Sequence, residues 1–135
     1  MSTSGGTPDG TLVGSPKLAG SAVLTANHNT RAAGANVAAN AAIGPVAGVL
    51  TWVTMVVFTI GIATTALELD ATITGLVGGT WTINLVGSLT VSNTIVIPFP
   101  VALPSSAVNT AITAGIPASG ASGPAISTSI AGYTL

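Results

Sequence analysis

Glu68 and Asp70 stand two residues apart, and His28 is the single imidazole. With Asp9, Lys17 and Arg31 they are the only side chains in the 135 residues that titrate near neutral pH. From Ala71 to Leu135 there is no Asp, Glu, Lys, Arg or His. Acid–base catalysis, metal ligation and phosphate binding all need charged, imidazole or thiolate groups that converge in space, and half of this chain supplies none. A lone His28 in the polar run Thr25–Arg31 reads as an exposed side chain or a subunit contact. Carboxylates at Glu68 and Asp70 share one face of a strand, and nothing near them in sequence completes a cation's six to eight oxygens, so a solvated edge is the expectation. The expectation is a protein that is not an enzyme, with no catalytic residue, no metal site and no cofactor.

The elements that carry these residues follow from hydrophobic alternation. Leu67, Leu69, Ala71 and Ile73 alternate with Glu68, Asp70, Thr72 and Thr74, the period of a half-buried strand. Phe58, Ile60 and Ile62 keep the same beat just before them, and Trp81, Ile83 and Leu85 alternate with Thr80, Thr82 and Asn84 just after. Gly75 and Gly78-Gly79 punctuate these runs as a hairpin turn. Further strands are expected over Ser88–Ile97, Val108–Thr113 and Ala125–Leu135, with Pro98-Phe99-Pro100 breaking the ladder. The 23 uncharged residues Pro45–Leu67 also have the length of a membrane helix. Their load of β-branched residues and the strand pattern that follows in step favour paired strands.

Charged residues make up 4% of the chain, where about 25% is usual, while hydrophobic residues at 48% are ordinary. Thr, Ser, Asn, Gly and Ala stand in for the missing charges. A net charge of −1 supplies little mutual repulsion, so association with copies or with a lattice is expected. Two basic residues neutralise too few phosphates to hold nucleic acid. With no cysteine, stability must come from a core or from neighbouring subunits. The opening MSTSGGTPDGTLVGSPKLAG lacks the basic and apolar regions of a secretory signal.

These readings divide the chain into an extended N-terminal arm over residues 1–44, with a short helix at Arg31–Ile43, and a sandwich domain over residues 45–135. The fold class is mostly β, an antiparallel sandwich or barrel of jelly-roll type. Trp52, Phe58, Trp81, Phe99 and Tyr133 are the expected core or interface anchors, each worth a few kcal/mol (~2–3) when buried.

The order of features at Asn93-Thr94-Ile95-Val96-Ile97-Pro98-Phe99-Pro100, continuing through Val101-Ala102-Leu103-Pro104 and Asn109-Thr110-Ala111-Ile112 to the closing Ile130-Ala131-Gly132-Tyr133, resembles the small β-sandwich virion proteins of tailed bacteriophages. The resemblance spans roughly residues 65–135. It implies a head decoration or cement protein on the capsid surface, a homo-oligomer, in that group usually a trimer or other oligomer, bound to a major capsid protein or similar lattice. It carries over no catalytic residue. An extracellular, pilin-like filament subunit built by strand donation is the alternative. A single-span membrane protein and a carbohydrate-binding module rank below it.

Overall fold

The computed structural model describes residues 25–33 and 36–135, with the side chains of Asn29 and Ala33 alone described in the first stretch. The part of the expected arm before Thr25 lies outside the described residues. Eight strands follow in chain order: β1 (Thr25–Ala33), β2 (Ala39–Ile43), β3 (Thr51–Ile60), β4 (Leu67–Leu76), β5 (Gly79–Gly87), β6 (Asn93–Pro104), β7 (Ile112–Ile116) and β8 (Ile126–Thr134). They form two four-stranded sheets, β1-β8-β3-β6 and β2-β7-β4-β5. Every pairing is antiparallel.

The topology is that of one long hairpin rolled up. β1 pairs with β8, β2 with β7, β3 with β6 and β4 with β5. Rolling then brings β8 against β3 and β7 against β4. This nesting of two Greek keys in facing sheets is a jelly roll. The hairpin's tip is the two-residue link Val77-Gly78 between Leu76 and Gly79, where Gly78 and Gly79 take φ of 93° and 98°. Only glycine enters that region without strain. Gly75, at φ 85°, is instead the extra residue of a bulge inside β4, where Thr74 and Gly75 oppose Thr80 alone.

Among the described residues of Arg31–Ile43 the expected helix is replaced by two strand segments. Arg31–Ala33 end β1, Asn36 takes a left-handed φ of 62°, and Ala39–Ile43 form β2 in the opposite sheet. Alanine's helix preference is a few tenths of a kcal/mol per residue (~0.5), and packing outweighs it here. Ala39, Ala41 and Ile43 all point into the core, so within the arm assigned to residues 1–44 the segments Thr25–Ala33 and Ala39–Ile43 are strands of the two sheets. The Pro45–Leu67 segment contains β3, and among the described residues no helix is long and apolar enough to cross a membrane.

The core lies between the sheets. Phe58, Ile60, Val53 and Val56 from β3 and Ile126 and Ile130 from β8 meet Ile43, Ala71, Ile73, Ile112, Ala114 and Ile116 from the other sheet. The alternation in β3 changes phase at Thr54. Thr51 and Val53 point inward, and so do Val56, Phe58 and Ile60, with one residue too many between the two sets. Thr54 is that residue, set between the pairs Val53–Gly132 and Met55–Ala131, and its hydroxyl donates to the Ala131 carbonyl at 3.1 Å. The bulge keeps both halves of the strand facing the core.

Two threonines with no exposed surface sit on the inner faces, Thr51 and Thr128. The Thr128 hydroxyl of β8 crosses the core to donate to the Ala39 carbonyl of β2 at 2.8 Å, tying one sheet to the other. The Thr51 hydroxyl is equally buried and meets no partner among the described residues, although its backbone is well held by Ser105. Gly132, also in β8, has no room for a side chain: a Cβ there would lie 2.7 Å from Ile43 Cδ1 of the facing sheet and would collide with the Trp52 carbonyl of the neighbouring strand.

Three strand bounds differ from expectation for local reasons. Residues 88–92 form a turn because the Ser88 hydroxyl accepts from the Thr90 and Val91 amides, so β6 begins only at Asn93. The strand expected from Val108 begins at Ile112, because Asn109 takes φ 59° and its side chain accepts from the Gly48 amide at 2.7 Å. Pro98 and Pro100 do not end β6, which runs on to Pro104 as an edge strand, where a missing donor costs nothing. They coincide with a wide irregularity: Phe99–Ala102 stand opposite the single residue Thr54.

A charge-free apolar flank as the candidate functional site

The five expected anchors separate into three environments. Phe58 is wholly buried at the centre of the core. Trp52 and Tyr133 are paired neighbours on β3 and β8, half-buried on the outer face, with rings stacked at 6.1 Å and 14°. The Trp52 indole N–H is enclosed without an acceptor among the described residues. Trp81 and Phe99 stand together on the edge strands β5 and β6, with ring centroids 5.5 Å apart and planes inclined by 56°. Phe99 is buried there, whereas Trp81 remains 40% exposed.

Among the described side chains, Glu68 and Asp70 are the charged groups. Glu68 and Asp70 are exposed on the outer face of β4, where Asp70 accepts from the Asn84 side chain at 3.2 Å. His28 falls in β1 opposite Ala131, and its side chain lies outside the described residues. Among the described residues no three His, Cys, Asp or Glu side chains stand close enough to hold a metal ion. A shallow cleft of about 220 Å³ opens between the β3–β4 and β7–β8 connections, lined in part by Thr64, Thr65, Ser119 and Ser122. Two of its hydroxyls are already committed, Thr64 to the Ser122 carbonyl and Ser119 to the Pro124 carbonyl.

The surface that stands out is the flank where β5 and β6, the last strands of their sheets, lie side by side. On an enclosed sandwich the inward residues of edge strands are covered. Here Ile83, Ile95 and Ile97 are only partly buried, although they pack against the core, and Trp81 looks out between the sheets. Val86 and Val96 flank this opening on the two outer faces, Leu89 and Val91 stand at one end, and Val101, 79% exposed, protrudes from the irregular part of β6. No charged residue occurs anywhere on β5, β6 or the turn between them. Exposed edges are normally guarded by lysines or inward charges, and this one has only Pro98, Pro100 and Pro104. Sequence alternation identified Trp81 as an anchor but said nothing of which strands would be outermost.

No family model matches the chain, and neither a curated protein nor a solved structure gives a significant match.

Proposed function

We propose that this chain is a structural virion protein, a decoration or cement protein that stabilises a capsid by burying apolar surface against copies of itself and a shell lattice. The observation that carries the reading is the β5–β6 flank: a surface rich in exposed Val, Leu and Trp, without charge, on an otherwise complete jelly roll. Such a surface has no groups with which to do chemistry and much area to hide. The jelly roll adds support as one of the architectures used by capsid domains, although a fold alone assigns no job. Contact through uncharged surface depends weakly on salt, which suits a shell that must survive outside a cell.

Capsids purified from cells that make this chain, imaged by electron cryomicroscopy, test the reading. Density for an eight-stranded sandwich on the shell is expected, and shells stripped of the protein should regain heat resistance when it is added back. Particles that lack the chain, or shells indifferent to its addition, overturn the proposal. The filament alternative draws on the same unpaired edge, and images of helical stacks of this chain alone would favour it.

A further inference from the structure

The structure assigns a partner to the β5–β6 flank: we infer that it is covered by the same flank of a second copy, with β6 pairing antiparallel to its counterpart about a twofold axis. This inference rests on the structural reading above and says which surface does the assembling.

Three observations favour a second copy over an unrelated partner. The first is charge. A partner bearing Lys, Arg, Asp or Glu would have to desolvate them against a flank that offers no counter-charge, a cost of several kcal/mol (~3–5) per buried unpaired ion. The flank itself is a surface without that cost, since Ala71–Leu135 contains no charge. The second is area. The exposed parts of Trp81, Val86, Leu89, Val91, Val96 and Val101 amount to about 400 Å² of apolar surface, at ~100 Å² for an aliphatic side chain and ~250 Å² for Trp. That is roughly half of the ~800 Å² that each partner of a standard interface contributes, and an interface core is about that apolar. The third is the edge. Among the described residues β6 has no strand on its free side, and its prolines leave Asn93–Ile97 as the stretch that can pair without a missing donor.

Matching the two copies' faces restricts the register. If sheet β1-β8-β3-β6 continues into its mate with both cores on the same side, outward residues must meet outward residues, so the axis passes through a residue and not between two. Within Asn93–Ile97 the outward pair is Thr94 and Val96, both exposed. Axes at residues 94, 95 and 96 bring Thr94 to Thr94, Thr94 to Val96, and Val96 to Val96, respectively.

The absence of native cysteine makes the test specific. Single variants Thr94→Cys and Val96→Cys, and the two combined, are oxidised in the full-length protein beside an Ala118→Cys control in the exposed β7–β8 connection. At least one of the three should give a covalent dimer, the combined variant alone if the axis lies at residue 95, because directly opposed strand residues lie within disulfide reach, while the control stays monomeric on denaturing gels. In parallel, sedimentation across a dilution series should show the parent protein associating. Val96→Lys and Val101→Lys should weaken that association at least about 100-fold through desolvation and like charge, with an unchanged circular dichroism spectrum. A parent protein that is monomeric at high concentration, lysine variants that associate as before, or a control that cross-links equally well each overturn the inference. A monomer that still adds to shells rejects this interface and leaves the capsid reading standing. A dimer that ignores every shell does the reverse.

Discussion

Thr51 and Thr128 offer the same substitution with opposite expected signs. Both lie on inner faces with no exposed surface, and both become a near-isosteric valine by exchanging a hydroxyl for a methyl. β-branching, strand preference and rotamer restriction carry over unchanged. At Thr128 the exchange deletes the 2.8 Å hydrogen bond to the Ala39 carbonyl and leaves that oxygen without its cross-sheet donor. Loss of a buried partner costs about 1–3 kcal/mol, and the added methyl returns about 0.8 kcal/mol, so T128V should destabilise by about 1–2 kcal/mol. At Thr51 the hydroxyl has no partner to lose. Its burial already carries a penalty of about 1–3 kcal/mol, so T51V should stabilise by about 1–2 kcal/mol. The backbone bonds between Thr51 and Ser105 are untouched by the change.

The two variants should therefore differ by about 2–4 kcal/mol, which at a urea slope of about 2 kcal/mol/M separates their midpoints by roughly 1–2 M. Equilibrium urea unfolding at one fixed protein concentration, followed by far-ultraviolet circular dichroism, measures this directly. Fixing the concentration matters because association adds to apparent stability. Two variants shifting in the same direction, or lying within about 0.5 kcal/mol of each other, would refute the assignment of one hydroxyl as a tie and the other as a burden.

Other perturbations probe the packing and the bulge. Phe58→Ala should cost about 3–5 kcal/mol as a cavity at the core's centre, while Trp81→Ala should cost clearly less in thermal melts of the dilute protein, because the indole is partly in water already. Gly132→Ala should destabilise by about 3 kcal/mol in urea unfolding, and a cycle with Ile43→Val, which removes the methyl 2.7 Å from the new Cβ, should show a coupling of about 1 kcal/mol. Deleting Thr54 should leave a folded protein with the same sheet spectrum at a cost of about 1–2 kcal/mol, because Val53 and Val56 are then separated by Met55 alone and still face inward.

What could be read from sequence was set by where alternation runs uninterrupted. In β4, Leu69, Ala71 and Ile73 are buried and Glu68 and Asp70 exposed, as the pattern required. Gly78-Gly79 turns the chain where a hairpin was expected. In β3 the two inward sets are out of phase, and nothing in Thr-Trp-Val-Thr-Met announces that Thr54 is the surplus residue. β2 was hidden because its inward alanines are small enough for the facing sheet to approach, and small residues in a row look helical. The flank was invisible for another reason. Trp81, Ile83 and Leu85 alternate identically along β5, yet only Leu85 is fully covered. How much water an inward side chain sees depends on which strands stand beside it, and that is a property of the rolled sheet.

The position of β8 bears on how the molecule comes to exist. The last strand in sequence lies in the interior of its sheet, between β1 and β3. While the chain emerges from a ribosome, β1 has no in-sheet neighbour, and β3 has only β6, until residues 126–134 are free. Completion of that sheet must then wait for β8, through pairings such as Thr25 with Thr134 that close long loops. Until then β1 and β3 keep greasy edges uncovered, so removing residues 126–134 should yield inclusion bodies in place of a slightly weakened protein.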